Sequence, residues 1–168
     1  MADAPKKTEA APPNYITPAG YKKLIDEHVH LRTVARPKVC QEVSDAAAQG
    51  DRSENAEYIY GKKKLREIDK RMRWLTQRID AARVVKPEAQ PGKEDRVFFG
   101  ATVTLEDDDG ETVTYQLVGV DEIDLPQHKI SWRSPIGSAL LGKRLDDDVR
   151  VQTPSGVRKF TVTDVEYK

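Results

Sequence analysis

The residues with the clearest chemical potential are carboxylates in one short acidic segment. Asp51, Glu54 and Glu57 follow one another at intervals of three residues, directly after Gly50. An aspartate N-cap with glutamate three residues later resembles a capping box, so Asp51 and Glu54 fit a structural role. Carboxylate oxygens are also preferred Mg²⁺ ligands, although two of them on a surface hold the ion weakly unless another molecule adds ligands. On spacing alone, both interpretations stay open.

Basic side chains crowd the segment that follows. Between residues 62 and 78, only Glu67 and Asp69 oppose the bases Lys62, Lys63, Lys64, Arg66, Lys70, Arg71, Arg73 and Arg78. A one-sided basic stripe is typical of a surface that meets a phosphate backbone. With Leu65 at heptad position a, Lys64, Arg71 and Arg78 all occupy position g, so ion pairs with a partner helix are the structural alternative.

Two long helices are predicted to carry these groups, over residues 15–85. Thr17 suits an N-cap, Pro18 suits the first helical position, and Pro37 is expected to bend the first helix. The second helix, predicted from about Ser53 to Val85, has an apolar seam at alternating spacings of three and four: Leu65, Ile68, Met72, Leu75, Ile79 and Ala82. The first helix matches more weakly, through Tyr21, Leu24, Leu31 and Ala35. The pattern predicts an antiparallel coiled-coil hairpin about 50 Å long, with the acidic segment at its turn.

The second half of the chain changes to an alternating, strand-like pattern after a Pro- and Gly-containing linker at residues 86–94. Strands are predicted at 101–106, 112–118, 129–132, 149–152 and 159–165, with a hairpin turn at 107–110 and a short helix at 135–141. The sequence therefore predicts an α+β protein: a disordered tail (1–14), the hairpin (15–85), the linker, and a small antiparallel β domain with one helix (95–168).

The formal net charge of zero hides a strong polarity. The predicted hairpin has 15 bases and 10 acids, whereas residues 86–168 have 11 bases and 16 acids. Zero net charge thus excludes only a uniformly basic nucleic-acid binder. The single cysteine, Cys40, fits a reducing compartment, and we expect neither a membrane span nor a signal peptide, because no apolar stretch is long enough.

Several ordered blocks give the chain a specific resemblance. They are residues 50–58 (GDRSENAEY), 62–71 (KKKLREIDKR), 97–101 (VFFGA), 119–123 (GVDEI), 134–135 (SP) and 139–143 (ALLGK). Over residues 16–167 the chain resembles the Gre family of transcript cleavage factors, in its GreB branch. The resemblance implies an FKBP-like C-terminal domain and a cytoplasmic bacterial protein that binds RNA polymerase through its secondary channel. It also implies that the protein stimulates the polymerase's own cleavage of nascent RNA in backtracked complexes. By itself the protein is not expected to be an enzyme.

The resemblance also implies roles for individual residues. Asp51 and Glu54 would be the catalytic carboxylates, sharing a second Mg²⁺ with the polymerase, and Ser134 and Pro135 would contact the polymerase. The expected contacts to the nascent RNA 3′ end are Lys62, Lys63, Lys64, Arg66 and Lys70. A monomer is expected, since a hairpin buries its own seam. The alternative is a non-catalytic regulator that occupies the same channel without supporting cleavage.

Overall fold

Two structural units follow one another along the chain. The computed structural model describes residues 13–50, 55–87 and 96–167. The first unit is a helical hairpin and the second is a five-stranded sheet with one short helix, which confirms the predicted fold class. The predicted tail up to residue 12, the hairpin turn at 51–54 and the linker residues 88–94 lie outside the described residues.

The first arm of the hairpin is an almost continuous helix. It comprises α1 (Pro18–His30), a π-helical turn (Leu31–Ala35) and α2 (Arg36–Ala48). As predicted, Thr17 is the N-cap of α1: its side chain accepts a hydrogen bond from the Gly20 N–H, and Pro18 begins the helix.

The π-helical turn directly precedes Pro37. The backbone N–H of Arg36 bonds to the carbonyl oxygen of Leu31, five residues earlier. Proline lacks an N–H, and its ring clashes with the carbonyl group four residues back in a regular α-helix. The wider turn gives that ring room, so the predicted disturbance at Pro37 is local and the arm continues.

The second arm is α3 (Ala56–Ala81), and its predicted seam faces the first arm. Ile68 and Leu75 are buried, and Leu65, Met72 and Ile79 are half-buried. The buried or half-buried apolar residues of the first arm include the predicted Tyr21, Leu24, Leu31 and Ala35, together with Val39 and Ala46, which the pattern missed.

The base of the hairpin differs from the prediction. Asn14–Ile16 forms strand β1 and Ala82–Val84 forms strand β2, and the two pair in parallel. These residues were predicted as tail or helix, because local periodicity carries no information about a partner strand so far away in the sequence. Helix α3 therefore has 26 residues and is about 39 Å long, shorter than expected.

The second unit is one sheet in the order β5-β4-β3-β7-β6. Its elements are β3 (Thr102–Asp107), β4 (Thr112–Val118), β5 (Lys129–Ser131), α4 (Pro135–Leu140), β6 (Asp148–Thr153) and β7 (Gly156–Glu166). The pairs are antiparallel except β4 with β5, which run parallel, so the sheet is mixed and not purely antiparallel. The segment 119–128 allows this because it carries the chain back to the level of Gln116, so that β5 runs beside the last three residues of β4.

The core of the sheet unit lies on one face, under α4. Val103, Leu105, Leu117, Leu140 and Val162 are fully buried there. In the described part of the chain, no helix combines the length and apolar character that crossing a bilayer requires.

Candidate functional site

Beside the hairpin turn, the side chain of Asn55 links the two helices. Asn55 is the N-cap of α3, because its Oδ1 accepts a hydrogen bond from the Tyr58 N–H at 3.1 Å. Its Nδ2 donates to the carbonyl oxygen of Ala46 at 2.7 Å, close to the end of α2. Asn55 therefore starts one helix and fastens it to the other. The predicted metal ligands, Asp51 and Glu54, lie outside the described residues.

The interpretation of Asp51 as the N-cap of the second helix, one of the two that spacing left open, does not hold for α3. Helix α3 begins at Ala56, and Asn55 occupies the N-cap position. Aspartate and asparagine are equally good N-caps, so spacing alone fits either register. Asp51 and Glu54 precede the helix in sequence, so they are not the N-cap and N3 residues of α3. Glu57 does lie in the first turn, where an acid complements the helix dipole.

The bases of α3 form two rows. At about 100° of rotation per residue, five exposed bases lie within an arc of about 100°. We call these the outer basic row: Lys62, Lys63, Arg66, Lys70 and Arg73. The heptad g bases lie about 60–100° beyond Lys63, between the outer basic row and the seam: Lys64, Arg71 and Arg78. Lys64, one of the predicted RNA contacts, is thus separated from the other four, and Arg73 joins them although it was not predicted.

Within the part of the chain that the structure describes, the charge of the outer basic row has no carboxylate partner within 4 Å. The ammonium of Lys62 lies 5.9 Å from the Tyr58 ring centroid. Bases without a carboxylate partner suit binding to a phosphate backbone, because binding releases counterions and breaks no ion pair within the protein.

The g bases behave differently, because two of them form ion pairs. Arg71 bonds Glu27 of α1 through two nitrogens, at 2.6 and 3.0 Å. This hydrogen bonding holds the pKa of the Glu27 carboxyl below its ordinary value and raises the pKa of Arg71. The structural alternative is therefore confirmed for Arg71. Arg78 also pairs, but with Asp121 of the sheet unit and not with the partner helix.

The predicted polymerase contacts, Ser134 and Pro135, lie at the start of α4. The Ser134 hydroxyl accepts a hydrogen bond from the Gly137 N–H at 3.0 Å and donates to the Ser131 carbonyl oxygen at 2.7 Å. Ser134 is therefore the N-cap of α4, while Pro135 is exposed beside it. The structure gives Ser134 a local role, and the contact of Ser134 and Pro135 with the polymerase stays a prediction.

The donor chemistry of Asp51 and Glu54 fits Mg²⁺, because both supply hard carboxylate oxygens. In residues 13–50, 55–87 and 96–167, no group of three or more His, Cys, Asp or Glu residues is placed to hold a metal ion. Two carboxylates are an incomplete ligand set for this ion. A tight site at the turn would need ligands from another molecule.

Together these features describe a class of two-unit proteins in which a helical hairpin holds an acidic turn and a basic face away from a small sheet domain. Residues 14–84 match the family model described as "Transcription elongation factor, N-terminal", and residues 91–167 match "Transcription elongation factor, GreA/GreB, C-term". The chain belongs to the GreA/GreB family of transcription elongation factors.

Two relatives named as transcription elongation factors agree with this assignment. The chain is 52% identical to transcription elongation factor GreB of Pseudomonas aeruginosa, over 97% of this chain and 95% of that protein. It is 51% identical to GreB of Neisseria meningitidis serogroup B, over 92% and 94%. Among solved structures, GreA factor homolog 1 (Gfh1) of Thermus thermophilus is 26% identical, over 92% of this chain and 99% of that chain, with a TM-score of 0.41.

Proposed function

We propose that this protein binds RNA polymerase and stimulates the polymerase's own cleavage of nascent RNA in backtracked complexes, so that arrested elongation resumes. The observation that carries the proposal is family membership across both units. The hairpin supports it, because α3, with 26 residues, places the acidic turn about 39 Å from its base. An arm of this length lets the sheet unit stay at the rim of the secondary channel while the turn reaches inside. In this proposal the protein acts in the bacterial cytoplasm.

The chemistry requires carboxylates at the turn. Phosphodiester hydrolysis builds negative charge on the attacking and leaving oxygens, which paired Mg²⁺ ions stabilise. In this proposal Asp51 and Glu54 complete the ligand set of a second Mg²⁺ shared with the polymerase, and they orient the attacking water. Two carboxylates alone are an incomplete ligand set for Mg²⁺, so in this proposal the chain acts as a cofactor of the polymerase and not as an enzyme alone.

The remaining surfaces have proposed partners as well. The outer basic row would contact the extruded 3′ segment of the nascent RNA, and Pro135, beside Ser134, would contact the polymerase at the channel rim. The hairpin packs its seam within one chain, which supports action as a monomer.

A double substitution tests the role of the turn. Asp51→Asn with Glu54→Gln removes two negative charges while keeping side-chain size. We expect normal binding to polymerase and a loss of RNA cleavage of about 100-fold or more in stalled, backtracked complexes with Mg²⁺, as expected when metal ligation is lost. The measurement is the rate of transcript shortening at saturating factor.

The matched control is Glu42→Gln with Asp45→Asn. These acids have the same three-residue spacing and are exposed on α2 near the turn, so the charge change is identical. The control should cleave like the wild type. Normal cleavage by the Asp51/Glu54 variant would contradict the proposed role, and binding without any cleavage by the wild type would favour the non-catalytic regulator.

A further inference from the structure

The turn at residues 119–122 joins the sheet unit to the start of the hairpin through one carboxylate. Glu122 Oε2 accepts hydrogen bonds from the backbone N–H groups of Thr17 at 3.0 Å and Gly119 at 2.8 Å. Its Oε1 accepts a hydrogen bond from the Thr17 hydroxyl. The same hydroxyl caps α1 by accepting from the Gly20 N–H at 3.2 Å. Glu122 is thus bonded to the residue that starts α1.

Two glycines allow this close approach. A Cβ at Gly20 would overlap the Glu122 side chain, and a Cβ at Gly119 would overlap the carbonyl oxygen of Tyr15. A side chain at Gly119 would force the Tyr15 backbone away from the turn, and one at Gly20 would displace the Glu122 carboxylate from its bonds to Thr17. The contact is therefore closely packed, with a glycine on each side that leaves room for the neighbouring group.

The neighbouring carboxylate holds the other arm. Arg78 lies in the last turn of α3, and its Nε bonds both carboxylate oxygens of Asp121, at 3.1 and 2.9 Å, while Nη2 lies 2.8 Å from Oδ2. Arg78 Nη2 also donates to Asn14 Oδ1 at 3.0 Å. The side chains are 28% and 8% exposed, so this pair is more shielded than the Arg71–Glu27 pair on the hairpin, which is 47% and 39% exposed.

Adjacent residues of one turn therefore hold both arms at the base, where β1 and β2 also join the arms to each other. Tyr15 of β1 adds an apolar contact, because its ring packs against Phe99 and Trp132 of the sheet unit with centroids 5.8 and 5.3 Å away. Asp121 and Glu122 add directional contacts, because hydrogen bonds and bidentate ion pairs tolerate little change of angle.

The length of the hairpin makes its angle to the sheet unit important. Between Ala56 and Arg78, α3 rises about 33 Å, so a rotation of about 5° at the base moves the far end by about 3 Å. Catalytic groups must usually be placed within about 0.5 Å, and an error of about 1 Å can reduce a rate about 100-fold. A small loss of stiffness at the base is therefore magnified at the turn.

We propose that Asp121 and Glu122 are positioning residues that set the angle of the hairpin on the sheet unit, and so aim the acidic turn at the polymerase catalytic centre. The inference rests on the proposed function for its consequence in cleavage. Its geometric part, that these two carboxylates limit movement of the hairpin, is independent of that function.

The test compares Asp121→Asn with Glu122→Gln against a matched control, Asp108→Asn with Glu111→Gln. The control removes the same charges from exposed residues of the β3–β4 turn. We expect the Asp121/Glu122 variant to bind polymerase within about twofold of the wild type and to cleave about 10-fold or more slowly at saturating factor. The control should match the wild type in both measurements.

A distance measurement gives a readout that does not depend on cleavage. Spin labels on cysteines introduced at the exposed positions Lys38 and Asp164, in a Cys40→Ser background, report the distance between the hairpin and the sheet unit. The proposal predicts a narrow distribution in the wild type and the control, and a broader or shifted one in the variant. An unchanged distribution in a folded variant contradicts the proposal, and so does a broadened one with normal cleavage.

A charge exchange distinguishes the loss of the Arg78–Asp121 ion pair from simple unfolding of the variant. Arg78→Asp and Asp121→Arg should each slow cleavage, and the double exchange should recover at least part of the rate and narrow the distance distribution again. No recovery in a double variant that unfolds at the wild-type urea concentration would overturn the assignment of Asp121. If wild-type protein fails to stimulate cleavage, the proposed function fails, while the distance measurements still decide the geometric claim.

Discussion

At the scale of single residues, hydrogen-bonding side chains at helix starts do more than cap. Thr17 caps α1 and also donates to Glu122, and Asn55 caps α3 and also donates to the carbonyl oxygen of Ala46. Each therefore couples the start of a helix to another segment. Asn55 directly follows Glu54, one of the proposed metal ligands, in the sequence.

Substitution of Asn55 separates its two roles. Asn55→Ala removes the cap and the bond to Ala46, and should lower the free energy of unfolding by about 1–2 kcal/mol. Asn55→Asp keeps the cap acceptor and loses only the amide donor, so it should fall between Asn55→Ala and the wild type. Urea unfolding followed by circular dichroism measures the difference. Equal stability of all three proteins would show that the cap contributes nothing.

At the scale of elements, the hairpin seam continues towards the turn through a glycine. Gly61 is buried one helical turn before Leu65, and a Cβ built on it would lie 2.7 Å from Cγ2 of Val43 on α2. Glycine costs about 1 kcal/mol inside a helix relative to alanine. Its use here is explained by the close approach of α2 and α3 at this level.

Gly61→Ala should therefore destabilise the protein although alanine favours helix. We expect a net loss of about 1 kcal/mol, because crowding of the stiff Val43 side chain outweighs the gain in helix propensity. In a Val43→Ala background the same substitution should stabilise. A double-mutant cycle of urea unfolding measures this coupling, and a stabilising Gly61→Ala in the wild-type background would contradict the packing argument.

The outer basic row makes a second prediction at this scale. Replacing Lys62, Lys63, Arg66 and Lys70 by Ala should weaken action on complexes with long extruded RNA and reduce the salt dependence of that action. The slope against log salt should fall by up to about 0.7 for each lost phosphate contact. The measurement is the factor concentration for half-maximal cleavage at several salt concentrations.

A matched control removes the same number of bases from the first arm: Lys22, Lys23, Arg32 and Lys38 are all exposed there. Its salt slope should stay closer to that of the wild type. Identical slopes for the two quadruple variants would mean that the outer basic row has no special contact with RNA.

At the scale of the whole molecule, the sequence predicts features whose signals lie in neighbouring residues. Thr17 with Pro18 marks the start of α1, the seam from Leu65 to Ile79 marks the inner face of α3, and the turn at 107–110 lies between strands at nearly the predicted bounds. Each of these depends on local periodicity or turn chemistry, which one stretch of sequence contains completely.

Features that depend on distant partners were not predictable in the same way. The pairing of β1 with β2, the parallel pair β4–β5 and the Arg78–Asp121 contact join segments that no local pattern relates. The N-cap of α3 was missed for another reason, since Asp51 and Asn55 both have suitable side chains. The positions of Asp51 and Glu54, and their role, stay predictions.

The polarity of charge agrees with this division of the molecule. The predicted hairpin region carries the excess of five bases and residues 86–168 carry the excess of five acids, counted from the whole sequence. In the proposed function these halves meet different parts of one complex: the basic arm meets RNA inside the channel, and the acidic sheet unit meets the polymerase at its rim.

The most direct test of the central claim measures how cleavage in backtracked complexes depends on Mg²⁺ when one turn carboxylate is altered. If Asp51 helps to hold a shared Mg²⁺, Asp51→Asn should raise the Mg²⁺ concentration for half-maximal cleavage by about 10-fold or more, with polymerase binding unchanged. The Glu42→Gln, Asp45→Asn control should keep the wild-type value. An Asp51→Asn variant with the wild-type Mg²⁺ dependence, whatever its maximal rate, would contradict the account.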